Sequence, residues 1–373
     1  MFNSTGIIMS QKQRIEASCV LGSYLDTLGF NNGKWEFNYI NPNILNLQQA
    51  LIINQQIVTE FFALGGFNIN ISKWNASDDT IMMIATKKAC IAGGLIQDFI
   101  NCYVDILPML EDKKRVSGIT TLNSLRMLRL KRDINTIPYS EVMGGNGAAM
   151  RTHYIGIHYK GNIEKIIDIS IMASRLTHNY PLGFLGGMVT ALFTNYALSD
   201  IPPWKWVDML LALEKNETID KIMMKTDIYK KYMKDKHVFW DIWYKYKERR
   251  IKMLEYKISE FILADRYIEL NDILYNNKPD YNRYGATGAT CTILALDSIL
   301  SSITMLGGEN ELNFEKPNSL KINWQSVVFF STLSFADNDT IGAIAGMWYG
   351  AYCGYKEVNP NIINMLEFKN NIL

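Results

Sequence analysis

The sequence predicts a mostly or wholly α-helical globule that folds as one unit. Along much of the 373-residue chain, apolar residues recur at spacings of three and four, the period of a helix that buries one face. Alternation with a period of two, which is typical of strands, is scarce. Hydrophobic residues make up 48% of the chain and charged residues 20%, as in ordinary globular proteins. Length alone suggests about two domains, but no Pro/Ser-rich linker divides the chain.

Three segments carry the helical pattern most clearly. Residues 45–64 form one predicted helix, which the following Gly-Gly pair ends. A second predicted helix contains Ile96 and stops at Pro108, because proline lacks the N–H that a helix interior needs. Residues 242–262 repeat the pattern.

Other segments interrupt the helices. Residues 152–158 are the best candidate for a short strand, and Pro202-Pro203 and the polar residues 276–283 predict breaks. No stretch of about 18 residues is apolar and free of charge, so we expect no membrane span. The first residues, up to Arg14, lack the basic and apolar segments of a secretory signal.

Charge is nearly balanced, with 38 Lys and Arg against 37 Asp and Glu and a formal net charge of +1. This balance argues against a surface built for nucleic acid. Residues 221–257 depart from it, with 12 basic and 5 acidic side chains. That segment is either a patch for an anionic ligand or partner or a solvated helical face. We favour the solvated face, because aromatic and aliphatic residues interleave with the charges at helical spacing.

The numbers and spacings of the cysteines and histidines argue against several kinds of structural and metal site. The five cysteines are odd in number and widely spaced, and no Cys-x-x-Cys occurs. This usage is typical of a reducing compartment such as the cytoplasm and disfavours a disulfide scaffold or a thiolate zinc site. Only four histidines are present, and none lies in an HExxH motif. We therefore expect any catalysis to depend on carboxylates.

Two acidic segments each open an apolar helix: residues 77–80, Ser-Asp-Asp-Thr, and residues 337–340, Asp-Asn-Asp-Thr. Taken singly, each is best explained as a helix cap, since Ser and Asp side chains accept hydrogen bonds from the first N–H groups of a helix. Together they supply four carboxylates, which repel one another if they converge. If the two segments meet, one or two hard cations such as Mg²⁺ are expected there.

The helix predicted after the second acidic segment carries a glycine ridge, Gly342, Gly346, Gly350 and Gly354, each four residues apart. Glycine costs about 1 kcal/mol per position in a helix interior, so close packing must offset it. The ridge predicts a central helix that a neighbouring helix approaches closely.

Three more segments are weaker candidates when taken alone. The glycine-rich residues 144–151 lead into a predicted helix start, where backbone N–H groups suit phosphate. Glu36 lies between aromatic residues and is either a partly buried acid–base group or an exposed loop acid. His178, within residues 175–183, either bonds an anionic ligand or is a structural histidine, which is the preferred interpretation.

Taken in order, these segments resemble the ADP-ribosylglycohydrolase family, and within it the eukaryotic ADP-ribosylarginine hydrolases. The matching motifs are residues 26–29 with 32–37, 77–80, 145–151, 175–183 and 337–346. The resemblance runs from about Arg14 to about Glu367, nearly the whole chain. It implies an all-α fold, a single compact orthogonal helical bundle over residues 14–373, preceded by an extension of residues 1–13 that is expected to lack order.

The resemblance also implies an activity: hydrolysis of the N-glycosidic bond between ADP-ribose and an arginine guanidinium at two Mg²⁺ ions, or Mn²⁺ in their place. The implied metal ligands are Ser77, Asp78, Asp79, Asp337, Asp339 and Thr340. Asp78 or Asp79 is the implied base or water-positioning group, and Glu36 is implied to contact the guanidinium or a metal. The implied substrate-binding residues are Tyr139, Gly145, Asn146, Gly147, Met150, His178 and Gly285.

The implied partners are ADP-ribosylated proteins or ADP-ribosyl-arginine, with ADP-ribose as the product. We expect a monomer with no nucleic-acid or membrane partner. Sequons at Asn75 and Asn338 fall on the acidic segments, so we expect the protein to avoid the secretory pathway.

Two segments depart from the family pattern. Residues 288–292, Gly-Ala-Thr-Cys-Thr, lack its His and Asp, and residues 334–336 are Ser-Phe-Ala where His-Gly-Gly is usual. These departures bear on affinity and on the leaving group more than on the metal chemistry. Two alternatives therefore stay open: cleavage of another linkage, such as serine, and a non-catalytic ADP-ribose binder.

Overall fold

The computed structural model describes residues 9–36, 44–251, 263–275, 281–305 and 320–373. Over these ranges the protein is helical with one small sheet, and the predicted all-α class is confirmed. The first helices are α1 (Gln11–Phe30), α2 (Leu47–Ala63), α3 (Asp78–Ala92), α4 (Ile96–Asp105), α5 (Leu107–Leu110), α6 (Ile119–Lys131), α7 (His153–His158), α8 (Ile163–Arg175) and α9 (Pro181–Leu198). The later helices are α10 (Trp206–Lys215), α11 (Thr218–Met223), α12 (Tyr229–Asp235), α13 (His237–Lys245), α14 (Leu263–Tyr275), α15 (Gly288–Leu300), α16 (Trp324–Thr332), α17 (Asn338–Cys353) and α18 (Lys369–Ile372).

The sheet is a single antiparallel pair, β1 (Ile303–Met305) with β2 (Leu320–Ile322), in which Ile303 lies opposite Ile322. It leads into α16, whose first turn is capped by the side chain of Asn323. Side-chain caps of this kind begin several helices, because the first N–H groups of a helix have no intrahelical acceptor. Ser10, for example, forms a capping box with Gln13 at the start of α1.

The predicted helix over residues 45–64 is confirmed as α2, and the chain leaves it at Gly65, whose φ of +120° glycine adopts without strain. The predicted stop at Pro108 is wrong in detail. The helix ends earlier, at Asp105, and Pro108 lies in the first turn of α5, where its missing N–H costs nothing.

The strand predicted at residues 152–158 is wrong, because His153–His158 form α7. This helix packs so closely on α9 that a β-carbon at Gly156 would overlap the carbonyl of Ala191. Burial on most sides removes the polar face that distinguishes a helical period from an alternating one.

Several predicted segments lie partly outside the described residues. Helix α13 continues into a π-helix, Tyr246–Ile251, and residues 252–262 of the predicted helix are not described. Of the predicted polar loop, Tyr281–Arg283 form a 3₁₀ turn and residues 276–280 are not described. At the other end, α1 begins at Gln11, three residues inside the expected N-terminal extension, of which residues 1–8 are not described.

The centre of the fold is the pair α1 and α17, together with α9 and α15. These helices are buried along most of their length. The predicted glycine ridge lies between α17 and α1: β-carbons at Gly346 and Gly350 would overlap the backbone carbonyls of Leu21 and Ala17. Gly354 is not part of this contact, because it ends α17 with a φ of +66°. Close packing therefore places the start of α17 beside the end of α1.

No helix among the described residues combines the length and the apolarity that crossing a bilayer requires.

Candidate metal centre

The first acidic segment lies at the start of α3, where Ser77 is the N-cap. Its hydroxyl accepts a hydrogen bond from the N–H of Asp79 at 3.1 Å, so the predicted capping role is confirmed. The same hydroxyl donates to Oδ1 of Asp26 at 2.6 Å. Oδ2 of Asp26 accepts from the hydroxyl of Thr80 and from its N–H at 3.2 Å. Asp26, fully buried in α1, therefore fixes both hydroxyls that flank the two aspartates.

The second acidic segment lies at the start of α17 and is held by Asn338. The side-chain amide of Asn338 donates to the carbonyl of Ser334 at 2.6 Å and to that of Trp35 at 2.9 Å. Its Oδ1 accepts from the Ser334 hydroxyl at 2.6 Å. Because Trp35 immediately precedes Glu36, this contact brings the N-terminal turn carrying Glu36 against the second acidic segment.

The two acidic segments converge, which the sequence had left open. One carboxylate oxygen from each of Asp26, Asp79 and Asp339 lies within 4.8 Å of the others. A second group, Glu36, Asp337 and Asp339, meets the same limit. Asp339 belongs to both groups, so two cations bound there would share it.

The ionisation of these carboxylates reflects their burial and crowding. Burial, followed by the neighbouring charge of Asp339, raises the pKa of Asp26 to about 7 and holds that of Asp79 well above its usual value. Burial, followed by the charge of Asp337, likewise holds the pKa of Asp339 well above its usual value. A bound divalent cation would offset this repulsion.

The donor set fits hard divalent cations. Among the described residues, Oδ2 of Asp79 and Oδ1 of Asp337 are buried and accept no hydrogen bond. A buried carboxylate oxygen without a donor is costly and calls for a ligand. The grouped donors are all oxygens, which Mg²⁺ and Mn²⁺ prefer. Asp26 accepts hydrogen bonds at both of its oxygens, so it is better suited to orient Ser77 and Thr80 than to bind metal.

Asp78 occupies a different position from its neighbour Asp79. Its carboxylate belongs to neither group and accepts from the backbone N–H of Gly118. Burial, followed by the charges of Asp339 and Asp26, raises the pKa of Asp78 to about 8. With 8% of its surface exposed, Asp78 is more accessible than Asp79, at 1%. It therefore lies at the rim of the centre.

The glycine-rich loop adjoins the second acidic segment through Asn146. Its side-chain amide donates to Oδ2 of Asp337 at 2.5 Å and to the carbonyl of Gly285 at 3.2 Å. Within the part of the chain that the structure describes, no hydrogen bond uses the backbone N–H of Gly147 or Ala148. The predicted helix start is corrected: residues 148–152 form turns and the helix begins only at 153.

His178 lies beneath this loop. A β-carbon at Gly147 would come within 2.7 Å of its Cε1, and its Nδ1 is 2.8 Å from the hydroxyl of Thr177. Burial, followed by the charge of Arg151, lowers the pKa of His178 to about 3. The imidazole is therefore neutral, and it supports the loop from below.

Arg151 fixes the same loop from its other end. Its fully buried guanidinium donates to the carbonyls of Gly147 and Ala173 and to the hydroxyl of Thr177. These bonds fix the peptide orientation of the loop.

The other predicted substrate residues lie at varied depths. The Tyr139 hydroxyl donates to Asp235 at 3.0 Å, and its ring packs edge-on against Tyr180 at 5.6 Å. Met150 is buried, with 3% exposed. Gly285, at φ +90°, packs against Asp337, where a β-carbon would lie 3.4 Å from the β-carbon of that aspartate.

Sequence reasoning did not assign Asp26 to the site. One signal was present, because Asp26 is the single charged residue within residues 19–30. Sequence reasoning also missed the hydrogen bonds that hold the backbone of Ala76 in place. The Ala76 N–H donates to Glu367 at 3.0 Å and its carbonyl accepts from Arg115 at 2.8 Å, while Arg115 and Glu367 pair at 2.7 Å. Glu367 is far away in sequence, so no local pattern indicates this contact.

The two departures from the family pattern are buried. Phe335 is fully buried and packs on Tyr267 and Tyr284 with ring centroids 4.8 and 5.0 Å apart. Thr290 forms a capping box with Thr287 at the start of α15. Both substitutions therefore contribute to packing and capping.

Comparisons with known proteins show the family of the chain. The profile of the ADP-ribosylglycohydrolase family matches residues 10–373. An ADP-ribosyl glycohydrolase of Acanthamoeba polyphaga mimivirus is 31% identical over 371 residues, which cover 94% of this chain and 66% of that protein. The chain thus spans slightly less than two thirds of this relative.

Two further relatives and one solved structure extend the comparison. ADP-ribosylhydrolase ARH1 of Dictyostelium discoideum is 28% identical over 97% of this chain and 92% of its own length. ADP-ribosylhydrolase ARH3 of Xenopus tropicalis is 27% identical over 58% of this chain and 54% of its own length. A solved structure, an ADP-ribosylglycohydrolase-related protein complex, superposes with a TM-score of 0.55 at 13% identity, covering 97% of this chain and 95% of that one. That likeness concerns the fold alone.

Proposed function

The chain belongs to the ADP-ribosylglycohydrolase family, and we propose that it is a divalent-cation-dependent hydrolase that releases ADP-ribose from ADP-ribosylated arginine. One observation carries the proposal. The carboxylates of two segments more than 250 residues apart converge in two oxygen-donor groups that share Asp339. The glycine-rich loop joins this centre through the hydrogen bond from Asn146 to Asp337.

The proposed metal ligands are the six residues of the two acidic segments that the family resemblance implies. Glu36 is added to them because its carboxylate groups with those of Asp337 and Asp339. The hydroxyls of Ser77 and Thr340 lie within the same segments. Two bound Mg²⁺ ions, or Mn²⁺ in their place, would polarise ribose hydroxyls and lower the pKa of a water.

Hydrolysis forms a bond from water oxygen to the anomeric carbon as the bond from that carbon to the guanidinium nitrogen breaks. The transition state resembles an oxocarbenium ion, as in other glycoside hydrolyses. We assign Asp78 to orient this water and accept its proton, because it is the more exposed of the adjacent pair. The released guanidine takes up a proton. Glu36, with 7% exposed, is assigned to face the guanidinium.

The diphosphate and ribose are assigned to the loop of Gly145, Asn146 and Gly147. The N–H groups of Gly147 and of the next residue bond nothing else among the described residues, which suits an anionic oxygen. His178 is neutral beneath this loop, so its proposed role toward the phosphate is indirect, through the position of the loop. Tyr139 at the outer edge is assigned to the sugar or adenine, with Met150 and Gly285 beneath.

The proposal extends to setting and partners. The substrates are ADP-ribosylated proteins or ADP-ribosyl-arginine, and the enzyme acts as a monomer in the cytoplasm. Two features support a reducing, non-secretory setting. All five cysteines are free thiols. The sequon residue Asn338 is fully buried, so a glycan there is incompatible with this fold.

The deciding experiment measures ADP-ribose release by purified protein from ADP-ribosyl-arginine and from matched arginine-linked and serine-linked peptides, with Mg²⁺ and with EDTA. We expect Mg²⁺-dependent release from the arginine-linked substrates. The Asp78→Ala variant should lower kcat by about 10²-fold or more while its far-ultraviolet circular dichroism stays unchanged.

Other outcomes are equally informative. Faster release from the serine-linked peptide would assign the other linkage. Tight ADP-ribose binding by calorimetry without turnover of any substrate would make the protein a binder and refute the proposed hydrolysis.

A further inference from the structure

Five lysines on and between α11 and α12 face water: Lys221, Lys225, Lys230, Lys231 and Lys234. We call them the lysine face. Among the residues that the structure describes, none of the five forms an ion pair.

The neighbouring acidic side chains are engaged elsewhere. Asp227 accepts from Arg175 at 2.6 Å, Asp235 accepts from Tyr139, and Asp220 pairs with Lys236. Asp220 and Asp227 thus pair with other cations, whereas Asp235 bonds a neutral hydroxyl and keeps its negative charge. Five lysines against this one carboxylate leave the lysine face with an excess of positive charge.

The rest of the basic segment behaves differently. Four of its cations pair with acidic side chains outside residues 221–257: Lys236, Lys247, Arg249 and Arg250. This part of the charge excess is structural. The interpretation as a solvated helical face therefore applies to the exposed lysine face and not to these four paired cations.

One residue of the lysine face, Lys231, lies beside the predicted substrate residue Tyr139. Helix α12 contacts Tyr139 twice, through the hydrogen bond to Asp235 and through Lys231, whose Nζ lies 5.6 Å from the centre of the tyrosine ring. Tyr139 packs on Tyr180, which in turn lies beside the loop, 3.4 Å from where a β-carbon of Gly144 would be. These contacts connect the lysine face to the glycine-rich loop.

Charge at the centre itself does not attract an anion strongly. Six carboxylates surround it: Asp26, Asp78, Asp79, Asp337, Asp339 and Glu36. Two divalent cations would not reverse the sign of such a cluster. An anionic substrate therefore gains attraction from positive charge around the centre and not at it, and such fields act over about 8–10 Å in physiological salt.

We propose that the lysine face binds the carboxylates of acidic residues that flank the modified side chain in an ADP-ribosylated protein. This inference rests on the proposed function, which supplies the substrate class. An acidic protein segment is favoured over nucleic acid because the proposed substrates are ADP-ribosylated proteins, whose own side chains flank the modified residue.

The first test measures binding without catalysis, by fluorescence anisotropy. The probes are a labelled, unmodified peptide of alternating Glu and Gly, and a labelled single-stranded oligonucleotide of equal charge. The face variant combines Lys225→Glu, Lys230→Glu and Lys234→Glu. The matched control combines Lys12→Glu, Lys88→Glu and Lys205→Glu, which are exposed lysines in the first turn of α1, near the end of α3 and directly before α10.

We expect the face variant to bind the peptide on the order of tenfold more weakly at low salt, with the control unchanged. Equal affinity of the face variant, the control and the native protein would overturn the proposal. Tighter binding of the oligonucleotide than of the peptide would overturn it in favour of a nucleic-acid partner.

The second test compares kcat/KM on two ADP-ribosylarginine peptides, one flanked by glutamates and one by glutamines. The face variant should lose on the order of tenfold on the acidic peptide and nothing on the neutral one. Equal losses on both peptides would contradict a role for the flanking carboxylates. If the native protein cleaves neither peptide, the proposed function has failed, and the binding comparison still decides the lysine face.

Discussion

The hydroxyl of Ser77 donates a hydrogen bond to the carboxylate of Asp26 at 2.6 Å, and it accepts one from the N–H of Asp79 at 3.1 Å. A single side chain thus links the buried helix α1 to the first turn of α3. Asp26 bonds Thr80 in the same way through its other oxygen. The first acidic segment is therefore positioned by a residue that lies 51 positions earlier in the chain.

Asp26→Asn should weaken metal binding without unfolding the protein. An amide offers one acceptor oxygen where the carboxylate offers two, so either Ser77 or Thr80 faces an NH₂ group. Loss of such an outer partner typically costs 10–100-fold in metal affinity or activity. The measurement is the Mg²⁺ concentration that gives half-maximal ADP-ribose release. Thr27→Ala, which removes only a bond to Ser23 within α1, is the control. An unchanged Mg²⁺ requirement in Asp26→Asn would refute this positioning role.

Asp339→Asn should abolish stabilisation by divalent cations, because Asp339 belongs to both donor groups. At a cation concentration of about 100 times Kd, binding stabilises the native protein by about 3 kcal/mol. Differential scanning calorimetry should show Tm rising with Mg²⁺ or Mn²⁺ in the native protein and falling after EDTA. Asp105→Asn, an exposed aspartate on α4, should keep the full shift. A cation-dependent Tm in Asp339→Asn would argue against a shared ligand.

Gly346→Ala tests the contact between α1 and α17. Alanine favours a helix over glycine by about 1 kcal/mol, whereas a β-carbon here would overlap the carbonyl of Leu21. Overpacking of this kind costs about 1–3 kcal/mol, and backbone yields less readily than a side chain. Urea unfolding should therefore show a lower free energy of unfolding for the variant. A higher free energy of unfolding in the variant would mean that the helix propensity of alanine outweighs the overlap with the Leu21 carbonyl.

We expect Asp297 to account for part of the stability that the protein loses at acid pH. Burial opposes its charged form, but Arg250 and Arg266 outweigh burial and lower the pKa of Asp297 to about 2. A lowered carboxyl pKa contributes stability above the unfolded value near 4, and this contribution is lost as the pH falls from about 4 to about 2. The contribution is about 2 kcal/mol.

The variant Asp297→Asn separates this effect from general acid unfolding. It leaves two buried guanidiniums without their shared carboxylate, so it should lose about 3–5 kcal/mol at neutral pH. Between pH 4 and 2 its stability should fall less steeply than that of the native protein, as urea unfolding across this range would show. If the free energy of unfolding of the variant fell with pH as steeply as that of the native protein, Asp297 would not be the source of this loss of stability.

Local features could be predicted from the sequence because the interactions that form them involve residues within one or two helical turns of one another. Ser77 was predicted as a cap and is one, since a cap needs only the next few N–H groups. The glycine ridge predicted a close helix contact, because glycine spaced by four has little other use in a buried helix. The strand predicted at residues 152–158 was wrong. The apolar residues of so short a buried segment fit the helical period of 3.6 and the strand period of two equally well.

The sequence by itself determined the all-α class, the residue types of the acidic segments and the excess of lysine in residues 221–257. Only the tertiary structure decided that Asp339 joins two donor groups, that Asp26 orients Ser77, and which lysines stay unpaired. The reason is physical. Periodicity and capping act over one or two turns, whereas convergence and ion pairing depend on how distant helices pack.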